Sequence, residues 1–186
     1  MIEPFTISIP DDVLADLRRR LAATRWPIGV ANSGGETLDD MRELVRYWRD
    51  GFDWHRQQSA INEFHHFRSD GVHFIHERSS SRAMPLLLLH GWPGSFVEML
   101  DVIPLLRESF HVVVPSLPGY GFSDVPAVEG MSNERMAGIF ADLMAKLGYR
   151  RFIVQGGDWG AGIATWIARK DATRVAGVHL NYIPGS

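Results

Sequence analysis

Over residues 1–68 the apolar positions recur at helical spacing. In PDDVLADLRRRLAAT, Val13, Leu14, Leu17 and Leu21 fall on one helical face. In TLDDMRELVRYW, Thr37 has the hydroxyl of a good N-cap, and Leu38, Met41, Leu44, Val45 and Trp48 form a second apolar face behind it. Residues 29–37, GVANSGGET, read as a Gly, Ser and Asn rich loop between these helices. A third helix is predicted from Trp54 to Phe64. From Asp70 onward the pattern changes. GVHFIHE reads as a strand opened by an Asp70–Gly71 turn, and PLLLLHG and FHVVVPSL are short continuous apolar runs. Such runs suit strands buried on both faces, as in a parallel sheet. SNERMAGIFADLMAKLG follows as a helix capped by Ser132 and stopped at Gly148, with Met136, Ile139, Phe140, Leu143 and Leu147 inward. RFIVQGGDWG is then strand and turn, AGIATWIARK a helix, and VAGVHLNY a last strand.

Alternation of strand and helix predicts an α/β fold with a mainly parallel sheet over 69–186, preceded by a helical meander over 1–68 that covers it. Ligands of such sheets bind at the carboxyl ends of the strands, where Asp158 falls. The composition supports a packed domain, with 45% hydrophobic residues in 186. A formal charge of -3 with dispersed Lys and Arg argues against a nucleic-acid partner. No apolar run approaches the roughly 20 residues of a membrane span, so no membrane association is expected. The chain has no cysteine, which rules out a disulfide framework and fits a cytoplasmic setting.

QGGDWGAG, residues 155–162, carries the chemistry. Gly156-x-Asp158-x-Gly160 between a strand and a helix has the spacing of the G-x-S-x-G nucleophile elbow, with aspartate in place of serine. Small residues on either side allow the tight turn that lifts one side chain above the sheet. A carboxylate, with a reference pKa of about 3.9, is ionised at neutral pH and needs no base to attack a saturated carbon. The product is an ester, which activated water can open; a serine ether would resist it. Aspartate at the elbow therefore points to alkyl rather than acyl transfer. Opening the ester places an oxyanion on the aspartate, which backbone N–H groups can stabilise. Trp159, next after Asp158, is expected to supply one amide, and Trp92, in the turn after LLLLHGWPGS begins, the other.

HGWPGSF (90–96), PSLPGYGFSD (115–124) and GGDWG (156–160), in this order and spacing, resemble epoxide hydrolases of the α/β-hydrolase superfamily. RRRLAATRWP and FDWHRQQSAINEFHHF look like the N-terminal meander of the microsomal-type branch. The resemblance covers essentially the whole chain. It implies Asp158 as nucleophile, the Trp92 and Trp159 amides as oxyanion hole, a cis peptide before Pro93, a small-molecule epoxide as substrate and no cofactor. It also implies tyrosine hydroxyls from a lid, and a histidine oriented by an acid to activate water. Only 28 residues follow Asp158, and none takes those places: His179 lies in a strand pattern, Asp171 at a helix end, and Tyr182 is a poor stand-in for a lid tyrosine. The chain is thus expected to be the N-terminal portion of a longer enzyme, inactive without a C-terminal half or a complementing chain.

Several residues invite other readings. Asp158 as a simple turn aspartate does not account for the matching oxyanion loop. His90 reads as a polar side chain fixing a turn rather than as a general base. His73 and His76, three apart on a strand, point to opposite faces, and the adjacent His65 and His66, placed at a helix end, diverge as well, so no metal site is expected. Trp26, Trp48 and Trp54 read as core anchors. A dinucleotide-binding start fails because the third glycine of G-x-G-x-x-G would fall on Thr165. Haloalkane dehalogenases share the aspartate and tryptophan at the elbow but usually place an asparagine where this chain has Trp92. A non-catalytic binding or assembly module is a third reading.

Overall fold

The computed structural model describes residues 1–28, 37–80, 82–127 and 129–182. The loop expected over 29–37 therefore lies outside the described residues, apart from Thr37. The chain forms two compact units, Ile7–Ile61 and Met1–Thr6 with Asn62–Ser186.

The first of these holds α1 (Asp11–Ala22), α2 (Leu38–Asp50) and α3 (Trp54–Ile61). Thr37 starts α2 as expected. Its hydroxyl accepts the Asp40 N–H at 3.2 Å and the Asp40 carboxylate accepts the Thr37 N–H at 2.9 Å, so two amides of the helix start are satisfied reciprocally. The apolar stripe on α2 does not mark burial: Met41, Leu44 and Trp48 are 41%, 55% and 48% exposed. Trp48 is thus not a buried anchor. Trp26 and Trp54 are partly covered; Arg42 lies over the Trp26 ring, and the Trp54 indole N–H donates to Gln58 Oε1 at 3.1 Å. α3 stops at Ile61, before Phe64, because the chain must turn into a strand: the His65 N–H donates to Glu77 Oε1 at 2.8 Å.

The second unit is built on a seven-stranded sheet in the order β1-β2-β3-β5-β4-β6-β7. Its strands are β1 (Glu3–Pro4), β2 (His66–Ser69), β3 (Val72–Glu77), β4 (Met84–Leu89), β5 (Phe110–Pro115), β6 (Phe152–Gly156) and β7 (Val175–Leu180). β5, β4, β6 and β7 are parallel, as expected. β1, β2 and β3 extend the sheet antiparallel to one another and to β5, so the sheet is mixed rather than mainly parallel. His66 lies on β2, not at a helix end. Asp70 and Gly71 link β2 to β3 with φ of 49° and 77°, the pair of left-handed residues that a tight hairpin requires.

Beyond the short α4 (Ile103–Leu106), the core lies between the sheet and α5 (Asn133–Lys146) and α6 (Trp159–Lys170). Leu87, Leu89, Val113, Phe152 and Val154 from the strands pack with Met136, Phe140, Leu143, Ile163 and Ile167 from the helices. Each such large side chain contributes roughly 1.5–3 kcal/mol on burial. Ser132 caps α5 by accepting the Arg135 N–H, and Gly148 ends it at φ 83°. The helices fix the strands, and the parallel strands bring His90, Ser116, Gly157 and Asn181 to one edge of the sheet. Among the described residues no helix is long and apolar enough to cross a membrane.

Candidate active site

Asp158 sits between β6 and α6 with φ 49° and ψ -122°, a conformation that L-residues rarely adopt. The glycines around it are required by space. A Cβ on Gly156 would lie 2.1 Å from the Gly160 carbonyl oxygen, and one on Gly160 would lie 2.3 Å from the Leu89 carbonyl oxygen. The elbow therefore presses β6, the first turn of α6 and the end of β4 together at backbone distance. Gly91 has the same role on the facing loop, where a Cβ would meet the Asp158 carboxylate at 2.6 Å. Only a bare backbone lets that loop reach the side chain.

The Trp92 N–H reaches it, donating to Asp158 Oδ1 at 2.8 Å. The Trp92–Pro93 peptide is cis, as the resemblance implied. The other expected amide belongs to Trp159, the first residue of α6; among the described residues no hydrogen bond joins it to the carboxylate. Three groups hold the loop. Ser95 caps the short 3-10 turn Phe96–Met99, accepting the Val97 N–H while Glu98 accepts the Ser95 N–H at 3.1 Å. His90 bonds on both sides: Leu117 N–H donates to Nε2 at 3.1 Å, so Nδ1 carries the proton and donates to the Gly91 carbonyl at 3.0 Å. Burial pushes the His90 pKa down, opposed by the Gly91 bond. A neutral, doubly bonded imidazole ties the loop after β5 to the loop that carries Trp92. The Tyr120 ring packs edge-on to both His90 and Trp159.

A cavity of about 190 Å³ adjoins Asp158, lined among others by Trp92, Glu98, Gln155, Gly157 and Asn181. Asp158, Trp92 and the start of α6 are thus brought together. His179, exposed on β7, and Asp171, the C-cap of α6, do not line the cavity; Asp171 bonds Thr173 and Arg174. Tyr182 follows β7 and is half exposed. Glu98, Gln155 and Asn181 went unnoticed in the sequence. The signal available for Gln155 was its place at the end of a strand, just before the elbow.

His73 and His76 have separate partners. His73 Nε2 pairs with His66 Nδ1 at 2.9 Å and its Nδ1 with Ser116 Oγ at 2.8 Å, whereas His76 Nε2 pairs with Tyr149 Oη at 2.9 Å. Burial lowers their pKa to about 3 and about 4, so both rings are neutral.

An acidic side chain on a strand-to-helix elbow above the parallel strands of a mixed sheet defines a class, and residues 84–184 match the family described as alpha/beta hydrolase fold. Residues 2–99 match the one described as Epoxide hydrolase N terminus, and the chain belongs to the epoxide hydrolases of that fold. Epoxide hydrolase 1 of Sus scrofa is 36% identical over 202 residues, 97% of this chain and 44% of that protein. The crystal structure of juvenile hormone epoxide hydrolase from the silkworm Bombyx mori superposes with a TM-score of 0.89 at 33% identity, covering 98% of this chain and 53% of that one. For the Aspergillus niger epoxide hydrolase structure the TM-score is 0.87 at 33% identity, with 100% and 53% covered. The chain spans about half the length of the relatives it matches.

Proposed function

We propose that this chain carries the nucleophile of an epoxide hydrolase and that Asp158 opens the epoxide ring. The observation that carries the reading is the Trp92 N–H on Asp158 Oδ1 at 2.8 Å. It fixes one carboxylate oxygen and leaves the other to attack. Attack forms a bond from Oδ2 to a ring carbon and breaks that carbon's bond to the epoxide oxygen. The resulting alkoxide takes a proton from an acid, and an aspartyl ester remains. Water then adds to Cγ, negative charge gathers on Oδ1, and the Trp92 amide, with that of Trp159, stabilises it by a few kcal/mol per donor. Collapse releases a vicinal diol and restores the carboxylate.

The acid for the first step, and the histidine and acid for the second, belong in this reading to a further segment or a complementing chain. The absence of cysteine favours a cytoplasmic site of action. The names of the relatives favour an epoxide over a haloalkane as substrate.

Asp158→Asn is expected to lower diol formation from an aryl epoxide by at least about 10,000-fold, read by product chromatography. Retained turnover contradicts the role. For the 186 residues alone, no steady-state diol release is expected, because any ester formed would persist.

A further inference from the structure

We infer that Gln155 and Asn181 hold the water that opens the aspartyl ester, as positioning residues for the second half of the reaction; this rests on the reading of Asp158 as nucleophile. Gln155 lies on β6, and its Nε2 donates to Asn181 Oδ1 at 3.3 Å. Asn181 follows β7 directly, and its amide sits against the backbone of Gly157, where a Cβ would come within 2.5 Å of Oδ1. The pair is therefore seated on the residue next to the nucleophile. With Nε2 engaged, Gln155 Oε1 is left buried and meets no hydrogen-bond partner in the protein.

A buried acceptor of this kind costs free energy unless something donates to it. It belongs to a side chain lining the same cavity of about 190 Å³ as Asp158. A water occupies about 30 Å³ and wants two to four polar partners, so the cavity is large enough. Gln155, Asp158, Glu98 and Asn181 are among the residues that line it, and each side chain carries an acceptor oxygen. A neutral amide suits the position beside Asp158, since it orients a water O–H without adding a second negative charge next to the nucleophile. In the hydrolytic step the held water gives its oxygen to Cγ and its proton, by way of the base, to the departing alkoxide. The diol leaves with the oxygen first contributed by Asp158.

Single-turnover kinetics on the protein that turns over an aryl epoxide separate the two half-reactions. Gln155→Met, similar in length but without the amide acceptor, is expected to slow ester hydrolysis about tenfold and leave ester formation within about twofold. Gln155→Asn keeps a neutral amide with its acceptor and is expected to recover part of the loss, which a purely structural role would not do. Hydrolysis at the wild-type rate in Gln155→Met overturns the inference. Absence of any ester on Asp158 in the wild type overturns the nucleophile reading instead. A high-resolution crystal structure of the wild type tests the water independently. A water within hydrogen-bond reach of Gln155 Oε1 is expected; a protein group there, or a dry atom, overturns the inference.

Discussion

The two halves of the sheet treat polar groups differently. On the antiparallel side, His66, His73, Ser116 and Ser123 are linked: ring to ring, His73 to the Ser116 hydroxyl, and Ser123 Oγ between the Ser116 carbonyl and the His73 N–H. Glu77, also buried, accepts both the His65 N–H and its ring nitrogen. On the parallel side β4 is apolar throughout and β6 is apolar up to Gln155, and Gln155, Asp158 and Asn181 stand at or just past the carboxyl ends of β6 and β7, beside a cavity. There Asp158 has one oxygen held and Gln155 one oxygen unmatched. A buried polar group that the fold fully partners is structure. One left open at a cavity is available for chemistry.

Acid offers the strongest test of that contrast. His73 and His76 fold with pKa values lowered from 6.5 to about 3 and about 4, so between pH 6.5 and those values the folded state binds fewer protons than the unfolded one. Stability is full above pH 6.5 and falls as the pH drops. Urea titrations at pH 7 and 4.5 are expected to differ by about 5 kcal/mol from these two rings. Asp158→Asn is expected to leave this acid dependence unchanged, because it belongs to the other half of the sheet. A flat profile from pH 7 to 4.5 would show that the histidines are not held neutral.

A smaller effect is expected at the elbow. Gly160→Ala places a methyl 2.3 Å from a backbone oxygen that cannot yield, at a cost of about 3 kcal/mol. Gly138, in the middle of α5, has nothing within 4 Å of its would-be Cβ, and Gly138→Ala is expected to stabilise by about 1 kcal/mol through helix propensity. Equal denaturation midpoints for the two variants would mean that the elbow is not close-packed.

What was legible in the sequence follows from how local each constraint is. The elbow and the loop that carries Trp92 impose their glycines over a few neighbouring residues, so Gly156, Asp158 and Gly160, and the HGWPG stretch, can be read directly. Thr37 and Ser132 announce their helices for the same reason. β1 and β2 were missed because strands of two and four residues carry almost no periodicity. The Asp70–Gly71 turn is the local signal for a strand on both sides. The Gln155–Asn181 pair depends on the register that sets Gly156 against Leu180 across β6 and β7, and the His66–His73–Ser116 chain on pairing between β2, β3 and β5. Neither is written in the spacing along the chain. The stripe on α2 erred in the other direction: periodicity established the helix, not its burial.

In the proposed reaction Asp158 bonds covalently to its substrate and is freed by water. A single turnover of an aryl epoxide in ¹⁸O-water, followed by mass spectrometry of the peptide bearing Asp158 and of the diol, tests it most directly. Label is expected in the Asp158 carboxylate, with an unlabelled diol from that first turnover. Label in the diol with none in Asp158 would mean direct attack by water and would contradict it.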